Sequence, residues 1–379
     1  MIPRDKIKIA VVTSGHIPSQ WAHSINVMKT ANAFFKLGYE VEVLTVERFL
    51  ERRNRKKIKN VHNFYGVNEK IKILYFRRYF FDPEKRISQY CKKNNIDICY
   101  CRAYRVVYYN IKNGIPTILE SHTTNVKHPD LKKVIKLSHS KYLKGLATVS
   151  DVVKQSFIKT GFPENKILVL QNGVDIEDFQ NLPNKDECRK IFNLVKDKKI
   201  VVYCGSLFPD KGIEHILLVA KNIPDVDFLL AGGQDSQIKF WKDFTNSHKI
   251  ENVQFVKFIE RNKAPLFLQV ADALIMPYKT DQKIERMDIS TTSPLKLFEY
   301  MATKKPIIST NIPAISRIIT HNIDGLLAEP NNIQELSRFV RMVLEDKQLA
   351  EKLTNNAYEK IKTYDRKKRC EKILSRFYL

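Results

Sequence analysis

The sequence predicts an α/β protein of two Rossmann-like domains, each on a mostly parallel sheet. Three observations carry that prediction. Strand-like runs alternate with helix-like stretches, the pattern of doubly wound folds. The alternation comes as two series, separated by a polar segment near residues 183–198. And 379 residues exceed one ordinary core, so two domains are expected.

The first series opens with Lys6 to Thr13, KIKIAVVT, a continuous apolar run of the buried-strand type. The loop SGHIPSQWAHS follows, then a helix from about Ser24, with Ile25, Met28 and Phe35 on one face and Val27, Ala31 and Phe34 beside them. Gly38 stands where a helix C-cap belongs, and Val41 to Val46 is the next strand. Further strands are expected at Ile96–Cys101, Pro116–Glu120, Leu146–Val149 and Lys166–Leu170. The polar stretch from Pro183 to Lys198 reads as a linker. After it come the strand IVVYCGS, a helix from Gly212, the strands DFLLAGG and NVQFVKF, a helix ending near Ala271 and the strand DALIMPY. The stretch SPLKLFEYMATKKPIISTN at 293–311 then gives a helix and another strand, and a helical segment closes the chain.

Composition narrows the class. With 43% hydrophobic and 10% aromatic residues the chain is globular, not disordered. No apolar run approaches the ~18 residues of a membrane span. The start, MIPRDKIKIAVVTSGH, has no signal-peptide pattern. Cys91, Cys99, Cys101, Cys188, Cys204 and Cys370 form no CxxC pair and have no histidine at zinc spacing, so reduced thiols in a cytoplasmic protein are expected. The net charge is +24, and it is uneven: residues 1–170 hold 32 Lys/Arg against 13 Asp/Glu, a net of +19, and the rest holds +5. Such a balance fits nucleic acid, a membrane surface or an acidic ligand.

Three segments suggest chemistry. A helix opening at Ser293-Pro294 presents unpaired N–H groups and a positive dipole end, which suits a phosphate, and proline at the first helical position leaves no donor unsatisfied. Lys296 and Glu299, three apart, share a face. They fit a phosphate and a sugar diol, and they fit equally an ordinary ion pair on a solvated face. Gly205 to Gly212, GSLFPDKG, follows a strand and flanks Lys211 with glycine, as an anion-binding loop would, without Walker spacing. Asp225-Val226-Asp227 is a DxD triplet, yet it runs straight into the strand Phe228–Ala231 and is read as strand-entry solvation, so no metal site is expected.

Taken together, these segments resemble the retaining glycosyltransferases of family 4, which have the GT-B fold of two Rossmann-like domains facing a central cleft. Four blocks match in order: WAHSINVMKTANAFFKLGYEVEVLT, TVSDVVKQSFIKTGFPENKILVLQNGVDIEDF, GSLFPDKGIEHIL and SPLKLFEYMATKKPIISTNIPAISRIITHNIDGLLAEPNN. The resemblance implies an acceptor-binding domain over 1–183, with a C-terminal helix at about 362–379 packed back on it, and a nucleotide-sugar domain over 184–361. It implies that Lys211 neutralises the donor diphosphate, that Ser206 lines the same loop, and that Ser293, Pro294, Leu295 and Lys296 hold the diphosphate at the helix N-terminus. Glu299 would accept hydrogen bonds from the ribose. Gly15 would let the backbone approach the transferring sugar, His122 would serve polar chemistry on the acceptor side, and the loop Phe258-Ile259-Glu260 would face the nucleobase. No cofactor and no metal are implied, so the leaving diphosphate relies on lysines and helix N–H groups. Three positions depart from the family pattern. The glutamate eight residues before Glu299, which reads donor-sugar hydroxyls, is Thr291 here; the arginine after the first loop glycine is Ser206; and the glycine common after NVQFV is Lys257.

In GT-B enzymes the N-terminal domain takes the acceptor, and here that domain carries the charge. Arg52 to Lys59, then Arg77-Arg78-Tyr79-Phe80-Phe81, then Lys127 to Lys136 interleave basic and aromatic groups in a way that suits an anionic bilayer. The expected partners are therefore a nucleotide-sugar donor, a glycan or lipid-linked acceptor in cell-surface polysaccharide or lipopolysaccharide synthesis, and the inner face of the cytoplasmic membrane. A nucleic-acid-binding protein would explain the charge but not the donor signature. A nucleotide-sugar epimerase of the same fold would need a carboxylate and histidine acid/base pair, which does not stand out.

Overall fold

The computed structural model of the chain describes residues 3–47, 52, 55, 58–78, 82–195, 197–280 and 293–379. It divides into two compact units, Met1–Asp175 with Asp365–Leu379, and Ile176–Tyr364.

The first unit is built on seven parallel strands: β1 Lys8–Thr13, β2 Glu40–Glu47, β3 Lys72–Arg77, β4 Ile98–Cys101, β5 Thr117–Glu120, β6 Leu143–Thr148 and β7 Ile167–Val169. Their order is β3-β2-β1-β4-β5-β6-β7. The central β1 is apolar on both faces because both are covered, and Ile9, Ala10, Val11 and Val12 are buried. The helix Ala22–Lys36 is buried from Ser24 to Phe34. Its polar residues are matched inside: Lys29 Nζ lies 3.3 Å from Asp175 and donates to the Gly66 carbonyl at 3.1 Å. Arg366, from the helix Arg366–Phe377, pairs with Asp175 at 3.2 Å and donates to Asn26 Oδ1 at 2.7 Å. A buried charge survives only with such partners, so these contacts fix the C-terminal helix in place.

The second unit holds six parallel strands: β8 Ile200–Cys204, β9 Asp227–Ala231, β10 Val253–Val256, β11 Ala273–Met276, β12 Ile307–Thr310 and β13 Leu326–Ala328, in the order β10-β9-β8-β11-β12-β13. In each sheet the strand order reverses once, between β1 and β4 and between β8 and β11. Doubly wound sheets take ligands beyond the carboxyl ends of the strands at that reversal.

Several expectations need correction. Lys185–Ile191, inside the expected linker, is a helix with a capping box in which Asn184 and Glu187 satisfy each other's backbone N–H groups. Its Arg189 is buried, donating to the Val270 carbonyl at 3.0 Å, the Lys198 carbonyl at 2.9 Å and Asp272 Oδ2 at 2.7 Å. The segment is thus part of the second unit's packing. The strands β3 and β13 and the helix Asp235–Ser247 were not expected, and β6 starts three residues earlier than the pattern Leu146–Val149 implies. Pro294 is the N-cap of a helix Leu295–Ala302, not its first residue. The DxD carboxylates are spent on ion pairs, Asp225 with Arg341 and Asp227 with Lys198 at 3.1 Å, as strand-entry solvation predicts. Thr291, four of the residues 52–59 (53, 54, 56 and 57) and the aromatics at 79–81 lie outside the described residues. Among the described residues no helix is long and apolar enough to cross a membrane.

Candidate functional site

Beyond β8 the chain turns through Gly205 to Gly212. Gly205 N–H donates to the Ala231 carbonyl at 2.9 Å, and Tyr203 OH donates to the Ser206 carbonyl at 2.7 Å, which draws the loop down onto the sheet. Gly212 has φ of +72°, and a Cβ there would run into the Pro277 carbonyl. Only glycine allows that conformation and that approach. The loop delivers Lys211, whose Nζ pairs with Asp210 at 2.8 Å and lies 5.3 Å from the Tyr278 ring centre.

The helix Leu295–Ala302 is anchored by the buried Leu297, Phe298, Tyr300 and Met301, and Tyr300 OH accepts from Cys204 N–H at 2.8 Å. That anchoring aims Lys296 at the same place. Its Nζ bonds Tyr203 OH at 2.9 Å and lies 4.2 Å from the Tyr203 ring centre and 5.2 Å from that of Tyr278. Burial, and then the neighbouring Lys211, push the Lys296 amine well below the ordinary lysine range. Two lysine amines and one carboxylate, Asp210, thus converge at the β8/β11 reversal, on the faces of two tyrosines. An anion entering there would relieve both the repulsion and the desolvation. Ser293 is buried just before the helix.

Glu299, one turn further along, does not pair with Lys296. Its carboxylate pairs with Arg261, from the loop after β10, and both side chains are mostly buried. Ile259, two residues before Arg261, is half-buried in that loop, and Lys257 reaches Asp235 at 2.9 Å on the surface.

The corresponding end of the first sheet carries a second cluster. Gly15 N–H donates to Thr13 Oγ1 at 2.9 Å, and a Cβ on Gly15 would lie 2.6 Å from the His23 ring. His23 Nε2 bonds Thr13 Oγ1 at 2.6 Å, and burial, then Arg102, lower its pKa to about 3. His122, two residues past β5, has Nε2 3.0 Å from Glu120 and Nδ1 3.3 Å from an Arg102 nitrogen. Arg102 can only donate, so Nδ1 accepts and Nε2 carries the proton toward Glu120. Burial, then Arg102, lower the His122 pKa to about 4, so the ring is neutral near pH 7 with both nitrogens engaged. Burial alone would raise the Glu120 carboxyl; Arg102, Arg369 and His122 outweigh it and hold it well below the usual range. Arg369 reaches Glu120 at 2.9 Å from the C-terminal helix.

The structure therefore gathers Ser206, Lys211, Ser293, Pro294, Leu295 and Lys296 around one carboxyl edge of the second unit, with Glu299 one turn further along the same helix and Ile259 on the loop after β10. Gly15 and His122 lie on the carboxyl edge of the first. Sequence reasoning missed Tyr203, Tyr278, Arg261, Arg102 and Arg369. Only Arg102, directly after a strand, carried a positional signal.

Two family descriptions match the chain, Glycosyltransferase Family 4 over residues 25–178 and Glycosyl transferases group 1 over residues 184–360. Among curated relatives, an uncharacterized glycosyltransferase of Methanocaldococcus jannaschii is 22% identical over 381 residues, 93% of this chain and 94% of that one. YtcC of Bacillus subtilis is 25% identical over 56% of this chain, a match spanning only 54% of its own length. An Escherichia coli UDP-Gal:α-D-GlcNAc-diphosphoundecaprenol α-1,3-galactosyltransferase is 25% identical over 55% of this chain and 53% of its own. The fold is shared with Anabaena HepE, solved with UDP-glucose, at a TM-score of 0.72 and 17% identity over 97% of this chain and 99% of that one. With the two matches together spanning most of the chain, it belongs to the family 4 glycosyltransferases, retaining enzymes of GT-B fold that transfer sugar from nucleotide sugars.

Proposed function

We propose that this glycosyltransferase uses a UDP-sugar and glycosylates a glycan or lipid-linked acceptor in cell-surface polysaccharide or lipopolysaccharide synthesis, working at the inner face of the cytoplasmic membrane. The observation that carries the donor side is the convergence of Lys211 and Lys296 at the β8/β11 reversal, where the free protein holds two amines against repulsion and burial. A diphosphate is the ligand that removes both costs. In this reading Ser293 and the N–H groups of the helix starting at Leu295 add donors, Ser206 lines the loop, and Ile259 borders the base. Glu299 takes the ribose hydroxyls, and Arg261, its ion-pair partner, orients the carboxylate. UDP is supported by the donors named for the E. coli relative and bound in HepE, and the lipid-linked acceptor by the E. coli relative's name.

The chemistry follows from the charges. As the bond from sugar to diphosphate breaks, negative charge grows on the leaving oxygens, and lysines already in place stabilise it without reorganisation. Retention fits attack from the front face, with the leaving phosphate taking the acceptor's proton. His122, neutral and held by Glu120 and Arg102, is assigned to positioning rather than proton transfer, and Gly15 to close backbone approach to the sugar.

The test is a panel of UDP- and GDP-sugars with and without EDTA, scored by nucleotide release. UDP release that persists in EDTA and falls in Lys296→Ala supports the reading. Release only from GDP-sugars, or none from either, overturns the UDP assignment.

A further inference from the structure

The first unit carries a pocket of about 550 Å³ beside the edge strand β3, within the size range of small-ligand sites. Its polar lining is Glu47 with Arg55, Arg77 and Arg86, and Tyr75 forms part of the wall. Glu47, the last residue of β2, is 4% exposed. Its Oε1 accepts from Arg55 Nε at 2.7 Å, while Oε2 has no hydrogen-bond partner and, among the described residues, is ion-paired with Arg77, whose Nε stands 3.6 Å away. Arg55 lies 4.3 Å from the Tyr75 ring centre, and Arg86 donates to the Arg77 carbonyl at 3.4 Å.

These groups make two demands that one ligand must meet. Among the described residues of the lining, three guanidiniums against one carboxylate leave a surplus of two positive charges, and guanidinium forks match phosphate geometry. The buried Oε2 lacks a donor, which is costly unless a hydroxyl or N–H reaches it. Inorganic phosphate answers the first demand and sets an anion against Oε2. A neutral sugar answers the second and leaves the cations unmatched. A sugar phosphate answers both, with its phosphate on the arginines and a ring hydroxyl donating to Glu47. The location is informative too. Thr45 of β2 donates to the Gly15 carbonyl at 2.8 Å, and Glu47 follows two residues later on the same strand face, roughly 7 Å along.

We propose that this pocket is a binding site for the sugar phosphate of a phosphate-linked acceptor. The proposal rests on the acceptor reading above and names its chemistry. The full chain is titrated with α-D-glucose 1-phosphate, D-glucose, inorganic phosphate and phosphatidylglycerol vesicles, each with and without saturating UDP. Glucose 1-phosphate is expected to bind saturably alongside UDP. It should weaken about tenfold or more in Arg77→Gln and in Arg86→Gln, the scale of one lost charged hydrogen bond, and both side chains are exposed enough to spare the fold. Glu47→Gln, checked for folding by thermal unfolding, should lose the preference for glucose 1-phosphate over inorganic phosphate. Equal affinity for inorganic phosphate in the unaltered chain, displacement by vesicles, displacement by UDP, or undiminished binding in both arginine variants would each overturn it. Failure of UDP to bind while glucose 1-phosphate still does so would instead strike the donor reading and leave this pocket standing.

Discussion

Glu299 and Lys296 sit three residues apart and could have paired with each other; instead each is held by a residue far away in sequence, Arg261 and Tyr203. A pair closed on itself would have little left for a ligand, whereas these two stay aimed at one edge of the sheet. Removal of a preorganised charged contact costs catalysis more than it costs folding. Lys211→Ala and Glu299→Ala are therefore expected to lower kcat/KM by about 2–4 kcal/mol of transition-state stabilisation each, and near-native turnover in either would refute their assignment. Lys296 gives a second expectation. Burial and Lys211 hold its amine low in the free protein, and a bound diphosphate must raise it again. Binding of UDP should take up protons, seen as a dependence of the calorimetric enthalpy on buffer ionisation; zero uptake at every pH at which the protein stays folded would count against the convergence of charge. His122 gives a third. Its folded value of about 4 lies below the unfolded 6.5, so the unfolded chain binds the proton first as pH falls. Stability contributed by the neutral ring is complete above pH 6.5 and is lost between 6.5 and about 4. His23 acts in the same direction, and Glu120, held low, adds its own loss below the ordinary carboxylate range. The drop in unfolding free energy from pH 7 to 5 should be on the order of 2 kcal/mol for each of these two histidines and should fall by about half in His122→Gln.

At the scale of elements, what the sequence reveals depends on periodicity. The runs at β1, β2, β8 and β11 and the helix at 22–36 are long or uniformly apolar, and they stand close to where the pattern places them. β3 was missed because KILYFR, an edge strand between basic segments, reads as surface. The helix Lys185–Ile191 was missed although Asn184 and Glu187 spell a capping box, since burial of Arg189 depends on carbonyls and a carboxylate that arrive from residues 198, 270 and 272. The residues that gather at the β8/β11 reversal were legible because they fall in two short segments. Arg261 and Arg369 were not, because their carboxylates lie 38 and 249 residues away. Two variants test the supports. Arg189→Ala would leave Asp272 and two carbonyls short of a buried partner and should cost about 3–5 kcal/mol in chemical denaturation. Gly212→Ala forces a side chain into the Pro277 carbonyl at positive φ. It should weaken UDP binding about tenfold or more and lower stability by about 1–3 kcal/mol. Unchanged affinity would mean that the loop shape is not what presents Lys211.

At the scale of the whole molecule, charge separates the two units. Met1–Asp175 with Asp365–Leu379 carries a net +22, and Ile176–Tyr364 only +2. Structural pairing absorbs part of this, for Arg366 and Arg369 are buried on Asp175 and Glu120. The surplus that can act outward includes the helix Pro129–Lys136, whose Leu131 and Val134 face the core while Lys132 and Lys133 stay exposed along with Lys127 and Lys136. Each such lysine contributes about 1 kcal/mol toward an anionic lipid surface, fading within a Debye length as salt rises. The protein should thus co-sediment with anionic vesicles and not with neutral ones. Changing Lys127, Lys132, Lys133 and Lys136 together to Gln should weaken that binding about a hundredfold or more at low salt, while UDP affinity, which the proposed donor site in Ile176–Tyr364 would set, stays put. Aromatic burial is unaffected by salt, so a residue of binding that survives high salt would assign part of the affinity to apolar insertion. Equal binding to neutral and anionic vesicles, or none to either, would reduce the +22 to surface solvation and remove the electrostatic case for an acceptor presented on a membrane.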